Sequence, residues 1–253
     1  MTVTVVASQK GGVGKTTTAI NVGILLARAG QRVLAVDADP QIALTRQVGI
    51  EARSLGLNLV DVLAGRADAR NAIVGDVHGV DVLPGAPQLT GVEMALVGEL
   101  GRERFLLDAL EPVRDSYDAI VIDTPPNLGL LTVNALTCAQ QVLAPVSGED
   151  EASVHGVIEL RGTIKRLCER LARPAPELIV VLTRWQPYRI SCRAIEKRLI
   201  DVELAPTARV RARSAAIARA AASRSPLVVS DPDSSAAIGY ARLIEQLAMG
   251  AGR

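Results

Sequence analysis

The stretch "SQKGGVGKTT", residues 8–17, directly follows the apolar run "TVTVVA" at residues 2–7. Its end, Gly14-Lys15-Thr16, matches the right-hand half of the phosphate-binding pattern G-x-x-x-x-G-K-[ST]. The first glycine of that pattern is replaced by Gln9, and Lys10 stands beside it. The stretch therefore predicts a strand, a glycine-rich turn and a helix, with a second lysine where the turn begins.

In such a turn the backbone N–H groups and the N-terminus of the following helix face an anion. We expect Lys15 to reach the β- and γ-phosphates of a nucleotide and the Thr16 hydroxyl to bind Mg²⁺. The alternative is a βα turn without a ligand, which a Gly-Lys-Thr sequence after a buried strand disfavours. The residues predicted to contact the nucleotide in this loop are Gly11, Gly12, Val13, Gly14, Lys15, Thr16 and Thr17.

Short β-branched runs alternate with longer helical stretches along the rest of the chain. This order predicts a doubly wound, mainly parallel sheet with helices on both faces, as in P-loop NTPases. No linker or repeat divides the sequence, so we expect one domain over residues 1–253. The predicted strands are 2–7, 32–37, 80–85, 117–123, 141–146 and 177–183, and the predicted helices are 15–30, 91–110, 129–139, 150–172, 190–200, 214–223 and 234–248.

The composition agrees with this fold and bears on the cellular compartment of the protein. Apolar residues make up 49% of the chain and aromatics only 2%, so the core must consist of aliphatic side chains, as in a buried parallel sheet. The three cysteines are far apart, which disfavours a disulfide framework or a cysteine metal site. Without a signal peptide or an apolar run of about 18 residues, the sequence predicts a cytoplasmic protein.

Three aspartates end predicted strands. Asp37 and Asp39 follow the second strand with a spacing that places them on one side, and Asp123 ends "YDAIVID". The carboxyl ends of strands line the ligand crevice of an open α/β sheet. We assign Asp37 and Asp123 to the Mg²⁺ shell and Asp39 to the attacking water, the alternative for each being a simple cap or strand-end acid.

Positive charge is concentrated between Arg184 and Arg224. This segment has nine Arg and one Lys against three acids, whereas the whole chain has a net charge of +1. Arginine contacts to phosphates give affinity without reading sequence, so the segment predicts a polyanion-binding face. The alternative is a solvated helix face in an Arg-rich chain. The candidate polyanion-binding residues are Arg184, Arg189, Arg209, Arg211, Arg213 and Arg219.

Four stretches together resemble the ParA/MinD group of deviant Walker-A ATPases. They are "KGGVGKTT" (10–17), "VDADPQ" (36–41), "IDTPPNLGLLTVNAL" (122–136) and "TARVRARSAAIARAAASRSPLVVSDPDSSAA" (207–237). The sequence is most similar to the short ParA partition ATPases. It departs from the family after "DADPQ", where Gly-Asn is common and this chain reads "IALTRQ".

The resemblance implies roles that the residues alone leave open. Lys10 corresponds to the signature lysine that reaches the partner's phosphates in a nucleotide-sandwich homodimer, although it could instead bind its own γ-phosphate. Asp39 would help to activate the hydrolytic water. The implied cofactors are ATP and Mg²⁺, with adenine contacts near Thr183 and Pro206. The implied partners are non-specific double-stranded DNA, through which the protein would associate with the nucleoid, and a ParB-like activator.

Other functions remain as alternatives, and one of them is a ParA-like ATPase that positions another large cargo. A MinD-type ATPase at a membrane surface needs a C-terminal amphipathic helix with bulky apolar and basic faces. The end of this chain, "EQLAMGAGR", has one Arg and no aromatic residue, which argues against membrane binding. Another alternative is a reductase or group-transfer enzyme that shares this loop. The reductases and the iron–sulfur carriers use paired cysteines, which this sequence lacks.

Overall fold

A computed structural model describes residues 1–51, 55–211 and 214–250. Its eight strands form one sheet in the order β3-β4-β2-β5-β1-β6-β7-β8, and every neighbouring pair is parallel except β3 and β4. The predicted mainly parallel sheet is confirmed. The strands are β1 (Thr2–Val6), β2 (Val33–Asp37), β3 (Val74–Val77), β4 (Val80–Leu83), β5 (Ala119–Asp123), β6 (Gln141–Ser147), β7 (Glu177–Thr183) and β8 (Ala208–Arg209).

Helices cover both faces of this sheet. They are α1 (Lys15–Arg28), α2 (Ala43–Gln47), α3 (Leu59–Leu63), α4 (Ala69–Ala72), α5 (Leu89–Ala95), α6 (Phe105–Leu110), α7 (Leu130–Cys138), α8 (Ala152–Arg170), α9 (Ile190–Asp201), α10 (Ser214–Ala222), α11 (Leu227–Ser230) and α12 (Ser235–Gly250). Short 3₁₀ turns follow α5 and α6, at Leu96–Gly98 and Glu111–Ser116.

The central strands divide their side chains between two apolar cores. On β5, Ile120 and Ile122 pack on the side of α3 and α6 to α9, whereas Ala119 and Val121 pack on the side of α1 and α12. This alternation is the two-residue period of a strand with both faces buried. The aliphatic composition of the chain is explained by the two cores.

Two predicted elements differ from the structure. Residues 91–110 do not form one helix, because the chain turns between α5 and α6, where Gly101 adopts a φ of +68°. A left-handed residue interrupts a helix, and glycine takes that conformation without strain. The antiparallel edge strand β3 is absent from the predicted strands, and it follows directly after the short helix α4.

The parallel strands end at one edge of the sheet, and the candidate site is built there. The glycine-rich loop follows β1, and the three aspartates lie at or just after the ends of β2 and β5. On the described parts of the chain, no helix combines the length and apolar character needed to cross a membrane.

Candidate nucleotide-binding site

The loop between β1 and α1 leaves room for an anion. Gly12 and Gly14 have φ angles of +74° and +94°, which only glycine adopts readily. A Cβ placed on Gly11 or Gly12 would meet nothing within 4 Å, so open space lies against the loop backbone. Thr16 and Thr17 lie in the first turn of α1, whose N-terminus follows the loop directly. This geometry fits bound phosphates.

Lys15 is buried against this loop, with 7% of its surface exposed. Its Nζ donates to the carbonyl oxygen of Lys10 at 3.4 Å. Burial lowers the pKa of Lys15, while the carboxylates of Asp123 and Asp39 oppose that shift. A cation held between two carboxylates at a phosphate-binding loop can bind the anionic oxygens of a nucleotide. The predicted position of Lys15 is consistent with this role.

Asp123 has a buried carboxyl group without hydrogen-bond partners among the described residues. Both carboxylate oxygens are buried and, among the described residues, accept no hydrogen bond. Burial, followed by repulsion from Asp37, raises the pKa of Asp123 well above its usual value, and the nearby Thr16 hydroxyl and Lys15 partly oppose the shift. Buried acceptors without a donor are costly. Hydrated Mg²⁺ would supply the missing positive charge, so Thr16 and Asp123 fit a magnesium site.

Asp37 lies beside Asp123 in the sheet register, but its carboxylate is already engaged. Its Oδ2 accepts from the Thr45 backbone N at 2.9 Å and from Thr45 Oγ1 at 2.6 Å. Burial raises the pKa of Asp37 to about 6, and these hydrogen bonds oppose the shift. Its Oδ1 accepts only one long bond, from Asp39 N at 3.3 Å. Only Oδ1 therefore remains for the predicted metal shell.

Thr45 is a residue that sequence reasoning missed. Its hydroxyl donates to Asp37 and accepts from the backbone N of Gly85 at 3.1 Å. It thereby joins the end of β2, helix α2 and the loop after β4. A Cβ on Gly85 would lie 2.6 Å from the Asp37 carbonyl oxygen, so that loop can approach only through glycine. Nothing in the spacing of Asp37 and Thr45 signals this contact before the chain folds.

Asp39 begins the turn that leads into α2. Its Oδ1 accepts from Gln41 N at 2.8 Å, and its carbonyl oxygen accepts from Ile42 N at 2.8 Å. Ile42 has a φ of +50°, a left-handed conformation that costs energy for a β-branched residue. The Asp39 carboxylate lies close enough to Lys15 to oppose the lowering of the Lys15 pKa by burial. Its role toward the attacking water stays a prediction.

The Lys10 side chain is exposed, unlike that of the buried Lys15. Its ammonium group is 3.3 Å from Asp150 Oδ2, and the two side chains are 46% and 38% exposed. Asp150 precedes α8, which packs close to the loop: a Cβ on Gly156 would lie 3.8 Å from Gln9 Cβ. The Lys10 ammonium is thus held at the surface beside α8, while that of Lys15 is enclosed.

Of the two predicted adenine contacts, only Thr183 lies at the site. Its hydroxyl donates to the carbonyl oxygen of Val13 at 2.8 Å, so the end of β7 is hydrogen-bonded to the phosphate-binding loop. Pro206 lies two residues before Ala208, which pairs with Val181. In this register Val210 is level with Thr183. Pro206 lies four residues before Val210, which is roughly 13 Å along the strand direction. The register does not bring these two residues together.

The predicted DNA-binding arginines also separate into groups. Arg184 and Arg189 both pair with Glu149, Arg209 pairs with Glu196, and Arg219 pairs with Asp231. Arg211 instead lies over the ring of Trp185, 5.3 Å from its centroid. Arg213 lies outside the described residues. Carboxylate partners reduce the positive field of most of this segment.

Comparisons with known proteins decide the family. The profile described as "AAA domain" matches residues 1–175. Over 167 residues the chain is 44% identical to the sporulation initiation inhibitor protein Soj of Bacillus subtilis, covering 66% of each protein. Over 165 residues it is 45% identical to the chromosome partitioning protein ParA of Caulobacter vibrioides, covering 64% of this chain and 61% of that protein. The chain belongs to the ParA/MinD-type P-loop ATPases.

The matched region spans 66% and 61% of the length of these two ParA-type relatives. A solved structure is similar over the whole chain. It is cobyrinic acid a,c-diamide synthase from Mycobacterium smegmatis with a bound ATP analog and magnesium, with 31% identity and a TM-score of 0.86 over 100% of this chain and 97% of that one. The ParA/MinD-type fold therefore includes the C-terminal part beyond residue 175.

Proposed function

We propose that this ParA-type ATPase hydrolyses ATP with Mg²⁺, forms a sandwich dimer when ATP is bound, and binds double-stranded DNA non-specifically in DNA partition. The observation that carries the proposal is the arrangement of the two loop lysines. Lys15 is enclosed by its own loop, whereas the Lys10 ammonium lies at the surface, 46% exposed and 3.3 Å from Asp150. A surface cation next to the phosphate site can reach the nucleotide of a second subunit.

The chain's own residues account for the chemistry that hydrolysis requires. Lys15 and the loop N–H groups would hold the phosphates, and Thr16 and Asp123 would hold Mg²⁺, which neutralises negative charge on the transferred phosphoryl group. Asp39 would orient the attacking water and accept its proton. Lys10 of the second subunit would add positive charge in trans, as an arginine finger does in other NTPases.

The structure favours DNA over a membrane as the surface that the dimer binds. The apolar face of α12 is used inside the molecule: Ala236, Ala237, Tyr240 and Leu243 are buried against the core. Tyr240 also hydrogen-bonds Thr18 of α1 at 3.1 Å. A membrane-binding helix needs a continuous free apolar face. In the described part of α12 the large apolar residues that stay exposed are Ile238 and Met249, and the exposed Arg242 and Glu245 lie between them.

Dimerisation with the two lysine variants tests the proposal. With a slowly hydrolysed ATP analogue, Lys15→Ala should lose nucleotide binding, because the phosphates lose their principal cation. Lys10→Ala should bind nucleotide almost normally but stay monomeric by light scattering. Lys165→Ala, which removes an exposed lysine from α8, is the matched control and should dimerise like the wild type. A Lys10→Ala protein that dimerises normally would refute the role in trans.

DNA binding should depend on the nucleotide. Two weak basic surfaces joined in one dimer gain avidity, so binding should be strong with ATP analogue and weak with ADP. Fluorescence anisotropy on two unrelated duplexes should give equal affinities, and the logarithm of the affinity should fall with that of salt by about 0.9 per phosphate contact. A ParB-like activator should raise ATP turnover and release the DNA. Equal binding with ADP and ATP analogue would contradict this model.

A further inference from the structure

A groove lies at the carboxyl end of β7 and β8. Its volume is about 540 Å³. One wall is formed by Trp185 after β7, the floor by the end of β8, and the other wall by α12. The residues that matter for its chemistry are Trp185, Arg209, Arg211, Gly239 and Arg242.

Helix α12 forms its wall because Gly239 allows a close approach. A Cβ at this position would lie 3.0 Å from Val210 Cα and 3.2 Å from the Arg209 carbonyl oxygen. Ser235, Gly239 and Arg242 lie on the same face of α12, because they are spaced four and three residues apart. Ser235 Oγ donates to the Arg211 carbonyl oxygen at 3.4 Å. The packing thus brings Arg242, which is distant in sequence, to the groove that Arg211 lines.

The charges in this groove are not equivalent. Arg209 Nε donates to Glu196 Oε1 at 2.6 Å, and the other oxygen of Glu196 accepts from Trp185 Nε1 at 3.1 Å. Arg209 is therefore neutralised by a carboxylate that also orients the indole. Among the described residues, neither Arg211 nor Arg242 has a carboxylate within ion-pair distance. These two guanidinium groups provide the available positive charge.

Trp185 holds one of these cations in place without consuming its donors. The guanidinium carbon of Arg211 lies 5.3 Å from the centroid of the indole ring. A cation–π contact is made through the ring face, so it needs no N–H group of the arginine. The N–H donors of Arg211 remain available for phosphate oxygens, which arginine binds in a bidentate manner. A positioned cation loses less side-chain entropy when it binds a phosphate.

We infer that this groove is the site where the protein binds the DNA backbone, with Arg211 and Arg242 contacting phosphates and Trp185 positioning Arg211. The inference rests on the proposed DNA binding and assigns it to particular atoms. Trp185 and Arg242 are additions to the surface predicted from sequence. Arg209 is assigned to holding Glu196 and Trp185 together rather than to the DNA.

The chain provides its own reporter for this groove, because Trp185 is its single tryptophan. A short duplex of mixed sequence is added to the full chain with a slowly hydrolysed ATP analogue, and indole fluorescence is recorded. Anisotropy of the labelled duplex is measured under the same conditions. The fluorescence change should saturate with the same midpoint as the anisotropy. A silent indole on a duplex that is bound by anisotropy would overturn the assignment.

Charge reversal at Arg242 is the second arm of the test. Arg242→Glu should weaken DNA binding at least about tenfold. Arg242→Ala should make the slope of log affinity against log salt shallower, by about 0.9 for every phosphate contact that the dimer loses. Arg166→Glu is the control. It makes the same charge change near the C-terminal end of α8, outside the groove, and should bind DNA like the wild type. Both Arg242 variants should dimerise normally with ATP analogue. Normal DNA binding by Arg242→Glu would also overturn the assignment.

The outcomes separate this inference from the proposed function. If no duplex binds by anisotropy, the proposed DNA binding fails and the groove assignment fails with it. If DNA binds while the indole is silent or Arg242→Glu binds normally, DNA binding stands and only the groove is wrong. Vesicles of phosphatidylglycerol supply phosphates on a membrane. An indole response to these vesicles, with no duplex bound by anisotropy, would refute both.

Discussion

The ammonium group of Lys10 and the carboxylate of Asp150 lie 3.3 Å apart within one subunit. Lys10 cannot keep this contact and also reach the phosphates of a second subunit. The ion pair therefore competes with the proposed dimer. Because both side chains are more than one third exposed, the competition is modest, within about 1 kcal/mol.

Asp150→Asn should therefore promote dimerisation. Asparagine keeps an oxygen that can accept from Ala152 N, which Asp150 Oδ1 does at 3.0 Å, but it removes the charge that holds Lys10. The dimer should form at up to about 30-fold lower protein concentration with ATP analogue, because one such ion pair is removed in each of the two subunits. Sedimentation measures this midpoint. Asp201→Asn, which removes the partner of Lys197 on α9, is the control and should leave it unchanged; weaker dimerisation of Asp150→Asn would contradict the competition.

Asp39→Asn should slow hydrolysis while nucleotide binding and dimerisation persist. The amide oxygen can still accept from Gln41 N, as Asp39 Oδ1 does at 2.8 Å, so the turn before α2 is preserved. A carboxylate that handles the proton of the attacking water contributes about 100-fold or more to the rate. Single-turnover hydrolysis of ATP measures the loss. An unchanged rate would remove Asp39 from the reaction.

Asp37 should make stability depend on pH in the nucleotide-free, Mg²⁺-free protein. Burial raises its pKa from 3.8 to about 6, so the folded state binds the proton more tightly than the unfolded state. The associated stability is present below about pH 4 and is lost as pH rises through about 6. The shift corresponds to roughly 3 kcal/mol.

Urea unfolding of the wild type and Asp37→Asn from pH 4 to about 7 measures this contribution. The wild type should lose stability relative to the variant as pH rises, because only the wild type must bury a charge at this position. Asp123 titrates in the same direction and is repelled by Asp37, so part of the difference arises from it. A stability difference that does not change with pH would show that Asp37 keeps its ordinary pKa.

Two glycines should respond in opposite ways to alanine. At Gly85 a Cβ would lie 2.6 Å from the Asp37 carbonyl oxygen, so Gly85→Ala must displace the loop that contacts Thr45. We expect a loss of about 1–3 kcal/mol. Gly91 lies within α5 with nothing within 4 Å of its Cβ position, so Gly91→Ala should stabilise by up to about 1 kcal/mol. Thermal unfolding compares them; equal Tm values would contradict the close contact at Gly85.

Local patterns in the sequence were sufficient for the main elements and for the phosphate-binding loop. Six strands and the helix after the loop were predicted near their observed positions, because β-branched runs and a Gly-Lys-Thr turn dictate short-range geometry. Asp123 could also be placed from its position at the end of a strand. The break near Gly101 and the two-residue strand β8 were missed, since neither is long enough to show a period.

Tertiary structure alone decided which charges are free. Asp37 binds Thr45, Arg209 binds Glu196, and Arg242 comes to the groove of Arg211, although no short-range pattern connects any of these residues. It also decided that Pro206 lies away from Thr183, through the register of β7 and β8. A sequence shows where charged residues occur along the chain, but whether a charge is available to a ligand depends on the partners that packing places beside it.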